Sequence, residues 1–315
     1  MKFTSTVLAL CAFYSADAFT VQAPKIGLKP LQSTPTGMPG PAYTVSDPAP
    51  VGAAPSINGS MPGAVARTPA GSAPFMAKYN APKTTKDIFE EITPVKVQGG
   101  SLRTCSFDEG VNRFTVFLKT TGRPLNANVE LWQGPDNAPQ KMSVYLEDGS
   151  KRPFRATVES PGSDNSISIR NTGQMEFPLT AGLEVDMDRQ SIGPSEILLG
   201  NSDSRIVQGG AVYTTPFPPA VQSVQVALKS DGRPLNARVE LLQGPNNNKQ
   251  VMDIYTEDGQ ERPFFVIIDT PGSGNVVRIV NTATVEFPLT AAVEPYLIDD
   301  TYVAETSTGG GMTWS

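Results

Sequence analysis

GRPLNANVELWQGP, residues 122–135, returns as GRPLNARVELLQGP at residues 232–245, and this doubling decides how the whole chain is read. Working outward from it without a gap, residues 97–186 align with 207–296 at a constant offset of 110, with 46 identities in 90 positions. The agreement clusters in blocks: VQGG at Val97 and Val207, EDG at Glu147 and Glu257, RPF at Arg152 and Arg262, PGS at Pro161 and Pro271, and EFPLTA at Glu176 and Glu286. A short period would mark a solenoid; a unit of ~90 residues is long enough to close a small core of its own, so the copies read as two domains.

Within a copy the hydrophobic period is 2. Phe114, Val116 and Leu118, matched by Val224, Val226 and Leu228, point one way, and Ala237, Val239 and Leu241 alternate with Arg238 and Glu240. Both patterns are those of strands with one buried face. Gly122-Arg123-Pro124 and Gly232-Arg233-Pro234 between these strands supply a glycine free to adopt positive φ and a proline with fixed φ, the ingredients of a reversal. Glu257-Asp258-Gly259-Gln260 reads as a hairpin between Met252–Thr256 and Phe264–Asp269. Phe264-Phe265-Val266-Ile267-Ile268 is apolar without alternation, which predicts a central strand covered on both faces. Six or seven short strands per copy predict an all-β chain of two tandem homologous β-sandwich domains, 81–190 and 191–296. A short helix is expected before each copy, from Thr85 to Ile92 and from Ser195 to Leu199, with Thr85 and Ser195 as N-caps.

Composition excludes much chemistry. The 315 residues contain no histidine, which removes Ser-His and Cys-His catalysis and imidazole metal sites. Of the two cysteines, Cys11 falls in a leader and Cys105 reads as a small buried filler, so neither a disulfide nor a thiolate cluster is expected. A net charge of −6 argues against nucleic acid as partner. Glycine (28) and proline (29) are abundant enough to favour turns and an irregular arm over helical bundles.

Residues 1–18 have a basic start, an apolar middle and the exit Ala16-Asp17-Ala18, as in a signal peptide. Residues 19–80 are rich in proline, glycine and alanine and read as a disordered arm. From Phe19 to Lys86 there are six bases and a single acid, Asp47, which is transit-peptide chemistry. A cut before phenylalanine (Ala18-Phe19) followed by such a tract resembles the two-part presequence of algae with secondary plastids. The alternative is a secreted protein with a disordered stalk, for which the sequon at Asn58 would be relevant.

Few residues are candidates for chemistry. Glu147-Asp148 and Glu257-Asp258, with Asp136, Asn137 or Asn246 to Asn248, could assemble an oxygen-rich Ca²⁺ site, but an Asp-Gly in a tight connection is required by the turn itself. Arg123, Arg233, Arg152 and Arg262 each precede a proline; anion pairing is conceivable, and structural ion pairs with strand acids, Glu147 or Glu257 are the stronger expectation. Trp132 stands where the second copy has Leu242, a core or interface position. No catalytic residue, cofactor site or metal site is assigned.

GRPLNA, VELxQGP, EDGxxRPF and EFPLTA, each present twice behind an Ala-Phe presequence, resemble the diatom pyrenoid shell proteins (PyShell) over residues 85–315. That resemblance implies a stromal plastid protein at the pyrenoid periphery, its two domains related by a pseudo-twofold, which self-assembles into a sheet around the Rubisco matrix and so supports CO2 fixation. Its implied partners are further copies of itself, shell paralogues and the Rubisco matrix, and it brings no cofactor. A carbohydrate- or Ca²⁺-binding tandem sandwich is the second reading and an enzyme the third. Duplicated surfaces fit an open, repeating contact between chains. The tail, Leu297–Ser315, has no counterpart in the first copy. Its glycine run Gly309–Gly311 followed by Met312 and Trp314 suggests an end that docks on a neighbouring chain.

Overall fold

The computed structural model describes residues 83–186, 191–245 and 247–299. The signal peptide, the presequence arm up to residue 80, and Met312 and Trp314 in the tail lie outside them. Helix α1 (Thr85–Glu91) precedes strands β1 (Val95–Val97), β2 (Leu102–Ser106), β3 (Arg113–Lys119), β4 (Leu125–Gln133), β5 (Asn137–Leu146), β6 (Phe154–Glu159), β7 (Asn165–Asn171) and β8 (Leu179–Asp186). The second copy repeats the order: α2 (Pro194–Asn201), β9 (Arg205–Val207), β10 (Val212–Pro216), β11 (Val221–Lys229), β12 (Leu235–Gln243), β13 (Asn248–Thr256), β14 (Phe264–Asp269), β15 (Asn275–Asn281) and β16 (Leu289–Ile298).

These strands form two eight-stranded antiparallel sheets, and each copy gives four strands to each sheet. The first runs β1-β8-β3-β6-β14-β11-β16-β9 and the second β10-β15-β12-β13-β5-β4-β7-β2. Each copy is thus a jelly roll, with its strands 1-8-3-6 facing 2-7-4-5. The two sandwiches expected from the repeat are fused through both sheets into one plate, and the core residues of both copies form a single cluster running from Val97 to Ala291. Eight strands per copy replace the expected six or seven, because three-residue strands such as β1 and β9 are too short to show a period.

The strand faces are as the alternation predicts. Phe114, Val116, Leu118, Val224, Val226, Leu228, Ala237, Val239 and Leu241 are buried, as is Cys105. Residues Phe264 to Ile268 of β14 are all buried: one face meets the core, and Phe265 and Ile267 lie under Leu198 of α2. Helix α1 covers Phe117 of β3 in the same way through Ile88, Phe89 and Ile92, with Phe89 edge-on to the Phe117 ring at 5.8 Å between centroids.

Two local expectations need correction. The EDG segment is no hairpin: β5 and β6, like β13 and β14, belong to opposite sheets, so the turn carries the chain across the sandwich. Among the described strands only β4–β5 and β12–β13 are paired sequence neighbours, joined through the QGP segment. The helix caps also sit elsewhere. Thr84 caps α1, its hydroxyl accepting the Asp87 N–H while the Asp87 carboxylate accepts the Thr84 N–H, a reciprocal capping box. Gly193 precedes α2 without a side-chain cap, and Pro194 fills the first turn, where a missing N–H costs nothing. Thr85 and Ser195 are buried inside their helices.

Candidate functional site

The seam between the copies is where most repeated blocks meet. In the second sheet β5 and β13 pair with Ser143 opposite Asp253, and in the first β6 and β14 pair with Ala156 opposite Val266. Each of these residues faces its own equivalent 110 positions away, so a pseudo-twofold axis passes through both pairs. Two backbone bonds obey the same symmetry: the Glu147 N–H donates to the Lys249 carbonyl at 2.9 Å and the Glu257 N–H to the Pro139 carbonyl at 2.8 Å. The arginines of RPF cross the seam reciprocally. Arg152 Nη2 donates to Gln243 Oε1 at 2.7 Å, and Arg262 Nη2 to Gln133 Oε1 at 2.9 Å. Each glutamine in turn donates Nε2 to the PGS turn of its own copy, at Pro161 or Pro271. RPF, QGP and PGS are therefore parts of one joint made twice. The expected ion pairing is partly replaced by amide contacts: Arg262 pairs with neighbouring Glu261 at 2.8 Å, whereas Glu147 pairs with Lys249 across the seam at 2.6 Å. Burial pulls the Arg152 guanidinium below its ordinary value, with Glu147, Asp148 and Asp269 opposing.

Arg123 and Arg233 have a different role. Each stacks over the phenylalanine of its copy's EFPLT block, Phe177 at 5.1 Å and Phe287 at 5.7 Å. Gly122 and Gly232 take φ of 75° and 90°, as the reversal requires, and the carbonyl oxygens of Arg123 and Arg233 accept the N–H of Gly149 and Gly259, so the GRP and EDG turns brace one another. Asp148 Oδ1 accepts the N–H groups of Ser150 and Lys151, and Asp258 Oδ1 those of Gln260 and Glu261. These acids serve their turns. Among the described residues no group of three or more acidic or cysteine side chains is placed to hold a metal ion; Asn246 of the Ca²⁺ reading lies outside them.

A carboxylate sits at the same position on each side of the seam. Asp269 of β14 accepts a long hydrogen bond, 3.5 Å, from Thr85 of α1, a helix of the other copy. Burial pushes its carboxyl up to about 6, against the opposing pull of Arg155, Lys86, Thr85 and Arg152. Its equivalent, Glu159 of β6, is also raised by burial although Arg113 donates to it at 2.7 Å. A folded-state value above the unfolded one means that the folded protein holds the extra proton. Stability associated with Asp269 is then fully present below about pH 4 and is lost as pH rises through about 6, by up to ~3 kcal/mol. Asp269→Asn is expected to leave stability at pH 4 almost unchanged and to raise it by ~1–3 kcal/mol at pH 8. Urea unfolding at both values tests this, and a variant-minus-wild-type difference that does not move with pH contradicts it.

Away from the seam the two copies diverge. On the outer face of the second sheet, between β2, β4 and β7, a groove of about 280 Å³ is lined by Leu102, Thr104, Glu130, Trp132, Ser168 and Arg170 among others. Trp132 is half-buried there, its indole N–H donating to Ser168 Oγ at 3.2 Å. In the second copy Leu242 replaces Trp132, Arg278 replaces Ser168 and Val280 replaces Arg170. Arg278 donates to Glu240, and both Glu240 and Leu242 are buried. The two ends of the plate each carry an exposed apolar tip, Met175 (82 % exposed) and Val285 (74 %), and the second copy adds Ile206 (71 %).

Some residues that hold the fold escaped the sequence reading. Asn171 and Asn281 are buried and donate to Val97 and Phe177, or Val207 and Phe287, tying the VQGG block to the EFPLT block. Asn165 and Asn275 do the same for the PGS turn, and Gln140 and Gln250 are fully buried beside the seam. Their repetition at the 110 offset was the available signal, since buried amides persist in both copies only where both need them.

A family model described as diatom pyrenoid shell protein matches residues 86–295. No curated protein matches. Among solved structures, an archaeal virus protein described by its triple jelly roll fold and turret assembly is similar at 9 % identity and a TM-score of 0.20, covering 62 % of each chain. This chain thus spans about 62 % of that protein's length. Pumpkin pro-11S globulin is similar at 12 % identity and a TM-score of 0.16 over 66 % of this chain and 85 % of its own. A Bacillus subtilis oxalate decarboxylase mutant reaches 8 % and 0.15 over 69 % and 80 %. Likenesses this low carry no argument.

Proposed function

The chain belongs to the diatom pyrenoid shell proteins, and on that premise we propose that it is a structural, self-assembling protein whose sheets enclose the Rubisco matrix of the pyrenoid and support CO2 fixation. It acts without catalysis. Its partners are further copies of itself, with shell paralogues and the Rubisco matrix as neighbours, at the periphery of the pyrenoid in the plastid stroma.

One observation carries the reading. The seam uses one side of each copy, β5 and β6 against β13 and β14, so no edge is left in the middle of the plate. The opposite sides, β1 with β2 and β9 with β10, are the outermost strands of both sheets. A chain with similar but unequal ends can join head to tail without closing, which produces an extended array instead of a closed ring. The Ca²⁺-binding alternative relied on the EDG acids, of which Asp148 and Asp258 bond to their own turns and Glu147 pairs with Lys249. A fluorescent fusion of the full chain is expected to outline the pyrenoid, and Phe19→Ala to hold it outside the plastid. A wild-type fusion spread evenly through the stroma contradicts the shell role, and an unchanged distribution of the variant contradicts the two-part presequence.

A further inference from the structure

The groove over Trp132 exists because the first copy lacks the Arg278–Glu240 pair that covers the same place in the second. With Ser168 in place of arginine, Glu130 has no ion pair among the described residues, and neither has Arg170. Divergence here is informative because the flanking blocks are kept: QGP follows both Trp132 and Leu242, and Glu130 and Glu240 are the same residue. Among the described residues this groove belongs to the first copy alone, and the tail follows the second copy alone.

We propose that this groove receives Met312–Trp314 of a neighbouring copy. The proposal rests on the assembly reading above and names one of its contacts. Size and chemistry fit: about 280 Å³ accommodates a large side chain, and methionine sulfur and an indole both pack well against the Trp132 ring. Charge fits too. Residues 299–315 contain Asp299, Asp300 and Glu305 and no base, and Arg170 lies exposed at the groove.

Reach selects a neighbour over the same chain. Strand β16 is next to last at the second copy's end of one sheet, while β7, beside the groove, is next to last at the first copy's end of the other. Rounding the plate past β9 and β10 means crossing about seven strand spacings of ~4.8 Å and the ~10 Å between layers, on the order of 50 Å with side chains included. Residues 299–314 span at most ~53–58 Å when fully extended, which leaves only a few ångströms for the turns of that path.

Ser168→Arg and Trp132→Leu test the idea, since each installs the residue the second copy already accommodates, and melting confirms that the variants fold. A labelled peptide of residues 299–315 is titrated into the full chain bearing Met312→Ala and Trp314→Ala, whose own tail no longer competes. Saturable binding is expected, weakened at least tenfold by either groove substitution; equal binding to all three proteins overturns the proposal. In the otherwise wild-type chain, Ser168→Arg and Trp314→Ala should each raise the concentration needed for sheets, and together no further than either alone. Sheets forming at the wild-type concentration in both variants overturn it as well. Should the wild type form no sheets, the assembly reading fails, and the peptide titration still decides the groove. Concentration-independent burial of Trp314 in dilute wild-type chain would show seating within one chain and overturn the assignment to a neighbour.

Discussion

Replacing Arg152 and Arg262 together by alanine is expected to lower stability by ~4–6 kcal/mol, a large share of the ~5–15 kcal/mol typical of a folded domain. Each guanidinium is almost fully buried and bonded to a glutamine of the other copy. Removing one loses a charge-assisted hydrogen bond and leaves Gln243 or Gln133 with an unmatched carbonyl, and at Arg152 it also takes away a cation that Glu147, Asp148 and Asp269 share with Lys249, Lys151 and Arg155, about 2–3 kcal/mol per site. The two joints are separate contacts related by the pseudo-twofold, so the losses should nearly add. Because the copies share one core, the wild type should unfold in urea as a single transition. In the double variant the midpoint should fall and the transition should broaden or divide as the copies lose coupling. A double variant within ~1 kcal/mol of the wild type, with an undivided transition, contradicts this account of the seam.

Gly209→Ala, or Gly99→Ala in the first copy, is expected to destabilise by ~3 kcal/mol or more at the outer ends of the plate. A methyl group at Gly209 would sit 1.8 Å from the Thr284 carbonyl oxygen, and at Gly99 1.8 Å from that of Gln174. Both obstacles are backbone, so no rotamer change relieves them and the link between the first two strands of the copy must move. Gly182→Ala provides the control. Its nearest atom is the tip of the Ile92 side chain, and the second copy already has alanine there as Ala292, so a change below ~1 kcal/mol is expected. Thermal unfolding of the three variants checks the ordering, and a Gly209→Ala protein as stable as the Gly182→Ala protein contradicts it.

Legibility in the sequence followed the range of each signal. The strands came out well because Phe114, Val116 and Leu118 alternate with period 2, and the doubly covered β14 was marked by its unbroken apolar run. Which strands pair was hidden. A turn such as Glu257-Asp258-Gly259 has the same composition whether it returns a strand to its own sheet or carries it to the opposite one. The repeat pointed to two copies, yet it could not show that Ser143 faces Asp253, since an edge that pairs reads like an edge that does not. Arg152 reads from the sequence as an ion-pair partner of strand acids or Glu147, whereas its hydrogen-bond acceptor, Gln243, lies 91 residues away, and neutral amides carry no charge pattern to betray them. The groove was invisible for a related reason. Trp132 against Leu242 looks like one apolar exchange until the Ser168 and Arg278 positions are seen beside it.

Imaging the purified chain, stripped of its presequence, at neutral pH across a range of concentrations tests the central claim most directly. Two sheets ~10 Å apart, their outer side chains and one layer of helices give a plate about 30–40 Å deep when its copies lie side by side in the layer. The account predicts continuous sheets or tubes one such layer thick, appearing above a threshold concentration. A chain that stays dispersed as folded monomers at every concentration would contradict self-assembly, and sheets near 70 Å thick would contradict the side-by-side arrangement.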